Sequence, residues 1–289
     1  MRKIIWYLIL CAAILIAGGC GRGGEAPSPE MHRHVLKHNE LLREYFVFLP
    51  SSYDGERKLP VAIFMHGYGG TATGTEAEVT QGLNQYAEEY GYVMVYPQST
   101  WFMSSVDGGD PREVTSWNHI SDGFDTGPAG PICAADATRY PCPPECGNCG
   151  QCGWTSCHDD VGFLKVLIDR VVADFAVSEN GFFVAGVGNG AMMANRIGCE
   201  AAGKIAAVAL IGGRVEPGFE CTPVRPIPML QVNGGKDETV PADGRRSESG
   251  YFFASTTSIT KFWTDGASCA ADTKGWLSPV VPQDEARCT

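Results

Sequence analysis

Gly186-Val187-Gly188-Asn189-Gly190 ends the apolar run Gly181–Val187 and opens the helical run Ala191–Ile197. An apolar strand that breaks into clustered glycines and re-forms at once as a helix points to an α/β protein. The strand then lies in a mostly parallel sheet and the turn stands above it. Glycine makes such a turn where a β-carbon would collide or where φ must be positive. Residue 188 is the position whose side chain the turn would hold out above the sheet, and as glycine it carries no reactive atom.

Two readings of the turn compete. One is a Gly-x-Ser-x-Gly nucleophile elbow with its serine replaced. The other is the start of a Gly-x-Gly-x-x-Gly dinucleotide turn with Ala191 at its sixth position. The turn's place in the latter half of an exported chain disfavours the second.

Outward from the turn, strands and helices alternate. Arg43–Pro50, Leu59–Met65, Tyr92–Tyr96, Ile205–Ile211 and Ile227–Val232 read as strands. Glu76–Tyr90, a stretch capped by Asp159-Asp160 and running to Phe175, and Tyr251–Trp263 read as helices. Helices should therefore cover both faces of the sheet. Residues 99–157 break the alternation. They are rich in Gly, Pro and Asp and read as an insertion over the sheet, stapled by its own cysteines.

The chain of 289 residues carries a net charge of -11 with no basic cluster, which excludes nucleic acid and an anionic membrane surface as partners. Met1-Arg2-Lys3 and the apolar run Ile4–Ala17 read as an export signal. Ala17-Gly18-Gly19-Cys20 resembles a lipobox, which makes Cys20 a lipidation site and places the protein at a bacterial cell envelope through a lipid anchor alone. Cleavage without lipid, followed by secretion, is the alternative. Residues 21–40 read as a flexible tether and 41–289 as the folded domain.

Export also decides the reading of the cysteines. Apart from Cys11 and Cys20, ten remain: Cys133, Cys142, Cys146, Cys149, Cys152, Cys157, Cys199, Cys221, Cys269 and Cys288. An even number in an oxidising compartment indicates disulfides. The spacing of Cys146, Cys149, Cys152 and Cys157-His158 also suits zinc, but disulfides are favoured, so no metal and no cofactor is expected. Connectivity within 133–157 is not legible.

Four segments in order carry a family resemblance: His66-Gly67-Tyr68-Gly69-Gly70, Asp159-Asp160-Val161-Gly162-Phe163-Leu164, Gly186–Met193 and Pro228–Pro241. Together they resemble the polyhydroxybutyrate depolymerase and feruloyl esterase group of secreted α/β-hydrolases, over residues 43–288. The resemblance implies carboxylic-ester hydrolysis by a Ser-Asp-His mechanism on an ester-containing polymer or a small acyl ester. It puts the nucleophile at position 188, the triad acid at Asp237 and the oxyanion hole at the backbone N–H groups of Tyr68 and Asn189. It also suggests a Cys199–Cys221 disulfide and a Cys269–Cys288 one.

The family's histidine lies in a Gly-Gly-His-x-Trp-Pro segment. The six histidines here are His32, His34, His38, His66, His119 and His158, and none follows Asp237. The expectation is a C-terminally truncated, catalytically impaired esterase. The alternative is a non-catalytic surface protein that binds an ester polymer, aromatic or glycan ligand. Oligomeric state is not legible. His66 reads as a support of the oxyanion loop, and His119 is placed to approach the site. Trp101, Phe102, Trp117, Phe124 and Trp154 suit either ligand stacking or the insertion's own core.

Overall fold

A computed structural model describes residues 31–78, 82–105, 110–119, 126–127, 130–147, 149, 152, 155–215, 221–267, 273–277 and 282–286. The signal segment, Cys20, Cys269, Cys288, Phe124 and Trp154 lie outside them. No helix among the described residues is long and apolar enough to cross a membrane.

Seven strands make the main sheet: β1 (His32–His38), β2 (Leu41–Phe48), β3 (Leu59–Met65), β4 (Val93–Pro97), β9 (Val177–Val187), β10 (Ile205–Ile211) and β11 (Met229–Val232). Their order is β1-β2-β4-β3-β9-β10-β11. The pairs from β4 to β11 are parallel, and β1 and β2 are antiparallel additions at one edge. The insertion adds two small hairpins, β5 (Thr100–Ser104) with β6 (Arg112–Ser116) and β7 (Thr126–Gly127) with β8 (Gly130–Pro131). A further hairpin, β12 (Thr273–Leu277) with β13 (Pro282–Ala286), was not legible in the sequence.

The tether expected over 21–40 gives way to a strand from His32. Asn39 and Glu40 both adopt positive φ, 44° and 65°. That is the geometry of a two-residue hairpin, and it folds β1 back on β2. The single helix expected over 76–90 is two, α1 (Ala72–Glu78) and α2 (Leu83–Tyr90). Gly82 precedes the second at φ 70°, which no helix interior holds.

Helix α3 (Asp160–Asp174) starts where expected, its Asp159 cap accepting from Gly162 N. Asp160 does not cap. It is buried and ion-pairs with Arg43 of β2 at 2.6 Å. The elbow helix α4 spans Asn189–Glu200. The last helix, expected over 251–263, is α5 (Thr256–Ala267). Ser255 Oγ caps it by accepting from Ser258 N, while Tyr251 is held in a bridge to Cys133.

Helices α3 and α4 pack on one face of the sheet, where Phe163, Leu167, Val171, Met193 and Ile197 meet Val61, Ile63, Phe182 and Leu210. Burying side chains of this size stabilises by roughly 1.5–3 kcal/mol each, so this layer is the main core. On the opposite face, Phe64, Ala72, Ala87 and Met94 form a smaller cluster under α1 and α2. Farther along that face, Phe183, Val187, Leu230 and Val232 are exposed. At the β11 edge both amide atoms of Gln231 are buried and have no hydrogen-bond partner among the described residues.

Candidate active site

Parallel strands place their C-terminal ends together, and the site residues collect there. Met65 of β3 registers with Gly186 of β9, so the loop after β3 lies beside the elbow. A β-carbon on Gly190 would lie 2.3 Å from Met65 O, and one on Gly186 would lie 2.4 Å from the Gly190 backbone. Those two glycines are steric necessities.

Gly188 is not. Its backbone adopts φ 53° and ψ -118°, and an added β-carbon meets nothing within 4 Å. The turn is held by Gly188 N donating to Ile211 O and by Ala191 N and Met192 N donating to Gly188 O. The geometry that would present a side chain is intact and the space for one is open. The glycine occupies a conformation that costs an L-residue energy.

Asn189 is fully buried. Its Oδ1 accepts from Trp117 N at 2.7 Å and its Nδ2 donates to Trp117 O at 3.1 Å. Nδ2 also donates to His119 Nδ1 at 2.8 Å, so the His119 ring proton sits on Nε2. His119 therefore does approach the elbow from the insertion, buried and bound to the residue beside Gly188.

Trp117 joins three elements. Its Nε1 donates to His66 O at 3.0 Å, its backbone binds Asn189, and its carbonyl accepts from Thr155 Oγ1. Trp117 and Phe102 are buried, which removes both from ligand stacking and leaves, among the described residues of that set, Trp101, 59% exposed.

The loop after β3 is fixed by His66. Nδ1 faces the Gly67 carbonyl at 2.7 Å and must donate, while Nε2 accepts from Ser99 N and the Gln98 amide at 3.2 Å each. Burial holds the ring neutral and lowers its pKa to about 4. His66 thus supports the backbone of this loop. Gly67 packs against the elbow, a β-carbon there lying 3.3 Å from Val187 O, and Tyr68 follows. Burial, with Tyr140 adding to it, pushes the Tyr68 phenol pKa upward.

Asp237 lies in the loop after β11, two strands from the elbow. Its Oδ1 accepts from Thr239 N and Val240 N at 2.9 Å each. Among the described residues no imidazole bonds to it. A neighbour that sequence reasoning missed, Arg214, organises this region. Fully buried after β10, it donates to Ala254 O at 3.0 Å and also to Asn233 Oδ1 and Val240 O. Burial lowers its pKa, and the carboxylates of Asp237 and Asp243 counter that. The available signal was one charge in Ile211-Gly-Gly-Arg-Val215, among apolar and glycine neighbours at a strand end.

The insertion forms the wall. Ile132, Cys133 and Cys152 pack with Met192, Val240 and Tyr251, and Tyr68 and Tyr140 lie against them. Within 133–157 the disulfides are Cys133–Cys152, Cys142–Cys149 and Cys146–Cys157. Cys199–Cys221 joins α4 to the segment before β11. The proposed Cys269–Cys288 pair falls outside the described residues.

No family model matches the chain. Feruloyl esterase B of Piromyces equi is 25% identical over 210 residues, covering 71% of this chain and 31% of that protein. Feruloyl esterase C of Emericella nidulans is 25% identical over 188 residues, covering 62% of this chain and 66% of that protein. The matched stretch spans less than two thirds of each relative. The crystal structure of a thermostable esterase is similar with a TM-score of 0.52 at 16% identity, over 83% of this chain and 53% of that one.

Proposed function

We propose, from the premise that this chain is an α/β-hydrolase related to esterases, that it is an exported carboxylic-ester hydrolase disabled at its nucleophile position. The observation that carries this reading is Gly188: elbow dihedrals and an open β-carbon position, with no hydroxyl. The backbone N–H groups of Tyr68 and Asn189 are the oxyanion donors, and Asp237 is the acid that would orient a histidine.

A serine-hydrolase site without its triad retains roughly 10³–10⁴-fold acceleration over water from binding and the oxyanion hole. That is far below the ~10⁶-fold or more of working enzymes. Purified protein given p-nitrophenyl acyl esters should stay at that level. Gly188→Ser in a chimera carrying the Gly-Gly-His-x-Trp-Pro segment should gain turnover and react with a fluorophosphonate. Ordinary enzymatic turnover by the unaltered chain, with contaminants excluded, would overturn the reading.

The second reading, a surface protein that holds an ester or aromatic ligand without cleaving it, is favoured by the half-buried rings of Tyr68 and Tyr140, packed on the insertion's small core. Pull-down on polyester and on feruloylated glycan, with product release measured in the same tubes, separates the two. Export is supported by four disulfides among the described residues. The mass of the mature N-terminal peptide tests whether Cys20 carries lipid.

A further inference from the structure

The three disulfides of the insertion are not independent staples. Cys133–Cys152 is buried in the wall of the site. The other two bridges lie side by side, because the sulfurs of Cys142, Cys146 and Cys149 are all within 4.8 Å of one another. The Cys146 sulfur, bonded to Cys157, therefore stands next to both atoms of the Cys142–Cys149 bridge. A ring nitrogen of His158 lies within the same 4.8 Å of the Cys146 and Cys157 sulfurs. Nε2 of that ring contacts Glu145 at 3.2 Å. Cys157 is exposed, Cys146 half-buried and Cys149 buried. None of these groups has a part in the proposed ester chemistry.

We propose that Cys142, Cys146, Cys149 and Cys157 form a thiol–disulfide exchange site that takes two electrons from a dithiol reductant. One thiolate of the dithiol attacks exposed Cys157. The Cys146–Cys157 bond breaks and its electron pair stays on Cys146, where an adjacent imidazole favours the thiolate. Cys146 then attacks Cys149, closing the four-residue loop Cys146-Gly-Asn-Cys149 and expelling Cys142, which takes a proton. The sulfur separation to be closed is at most 4.8 Å, against the roughly 2.0 Å of a disulfide bond. The second thiol of the dithiol resolves the mixed disulfide, freeing Cys157 with the other proton and leaving the reductant as its disulfide. Two bridges become one, while Cys133–Cys152 keeps the wall in place.

The full mature chain is treated with one equivalent of dithiothreitol, quenched in acid, alkylated and mapped by peptide mass spectrometry. The expected product has alkylated Cys142 and Cys157, a Cys146–Cys149 bridge, and intact Cys133–Cys152 and Cys199–Cys221. Alkylated Cys146 and Cys157 beside an untouched Cys142–Cys149 overturns the proposal, as does even opening of all bridges. His158→Gln should slow the exchange several-fold with its oxidised bridges unchanged. An equal rate overturns the part given to the imidazole. Because the wild-type map stands alone, a variant that fails to fold does not remove the test.

Discussion

The side-chain amide of Asn189 brackets the backbone of Trp117, accepting from its N–H and donating to its carbonyl. Through this bracket the insertion is locked to the residue beside Gly188. Asn189→Ala leaves the buried N–H of Trp117 without its partner, while the carbonyl keeps Thr155 Oγ1 and His119 N as donors. Unsatisfied buried groups cost about 1–3 kcal/mol each. Urea denaturation should show a loss of about 1–3 kcal/mol, and a loss under about 0.5 kcal/mol would mean that water replaces the amide.

Gly188→Ser should fold. The β-carbon has room, and the remaining cost is the positive φ, about 1–2 kcal/mol. Gly190→Ala, by contrast, drives a β-carbon against the carbonyls of Met65 and His66 and should destabilise by more than about 3 kcal/mol. Thermal melts of the two variants side by side test this ordering.

His66 makes stability depend on pH. Its folded pKa of about 4 lies below the ordinary value of 6.5. Between these values the unfolded chain binds a proton that the folded chain does not, so stability falls as pH drops from 6.5 towards 4. The full effect is on the order of 3 kcal/mol. Above pH 6.5 both states are neutral at this ring and the contribution is flat. Denaturant midpoints should decline through that window for the wild type and much less for His66→Gln, whose amide cannot ionise.

Asp160 pairs with Arg43 in the core, accepts from Asn118 N at 2.6 Å, and lies under a guanidinium stacked 4.0 Å from the Phe163 ring centre. Asp160→Ala strands a buried cation and should cost about 3–5 kcal/mol. The double variant Arg43→Met with Asp160→Leu should recover much of that. A double-mutant cycle by chemical denaturation measures the coupling, and purely additive losses would show that the charges do not act as a pair.

Some of this was legible because it is local. Asp159 with Gly162 at N3 announces a helix start, and the apolar run Leu59–Met65 announces a buried strand. Strand β1 was hidden because its residues are largely exposed and polar, so no periodic apolar pattern marks it. Its existence depends on pairing with β2 and on the turn at Asn39-Glu40. The start of α5 was misplaced because Tyr251 and Phe253 look helical in sequence but face the insertion wall, while Ser255 supplies the cap.

The amino-acid order alone determined the α/β alternation, the elbow and the absence of a hydroxyl at residue 188, since each rests on neighbours along the chain. Tertiary structure alone decided which glycines are obligatory, that Trp117 and Asn189 meet across 72 positions, that Arg214 holds the Asp237 loop, and how six clustered cysteines pair. Those outcomes depend on distances between segments that no local pattern encodes. Packing sets these distances only when the sheet, the helices and the insertion close on one another.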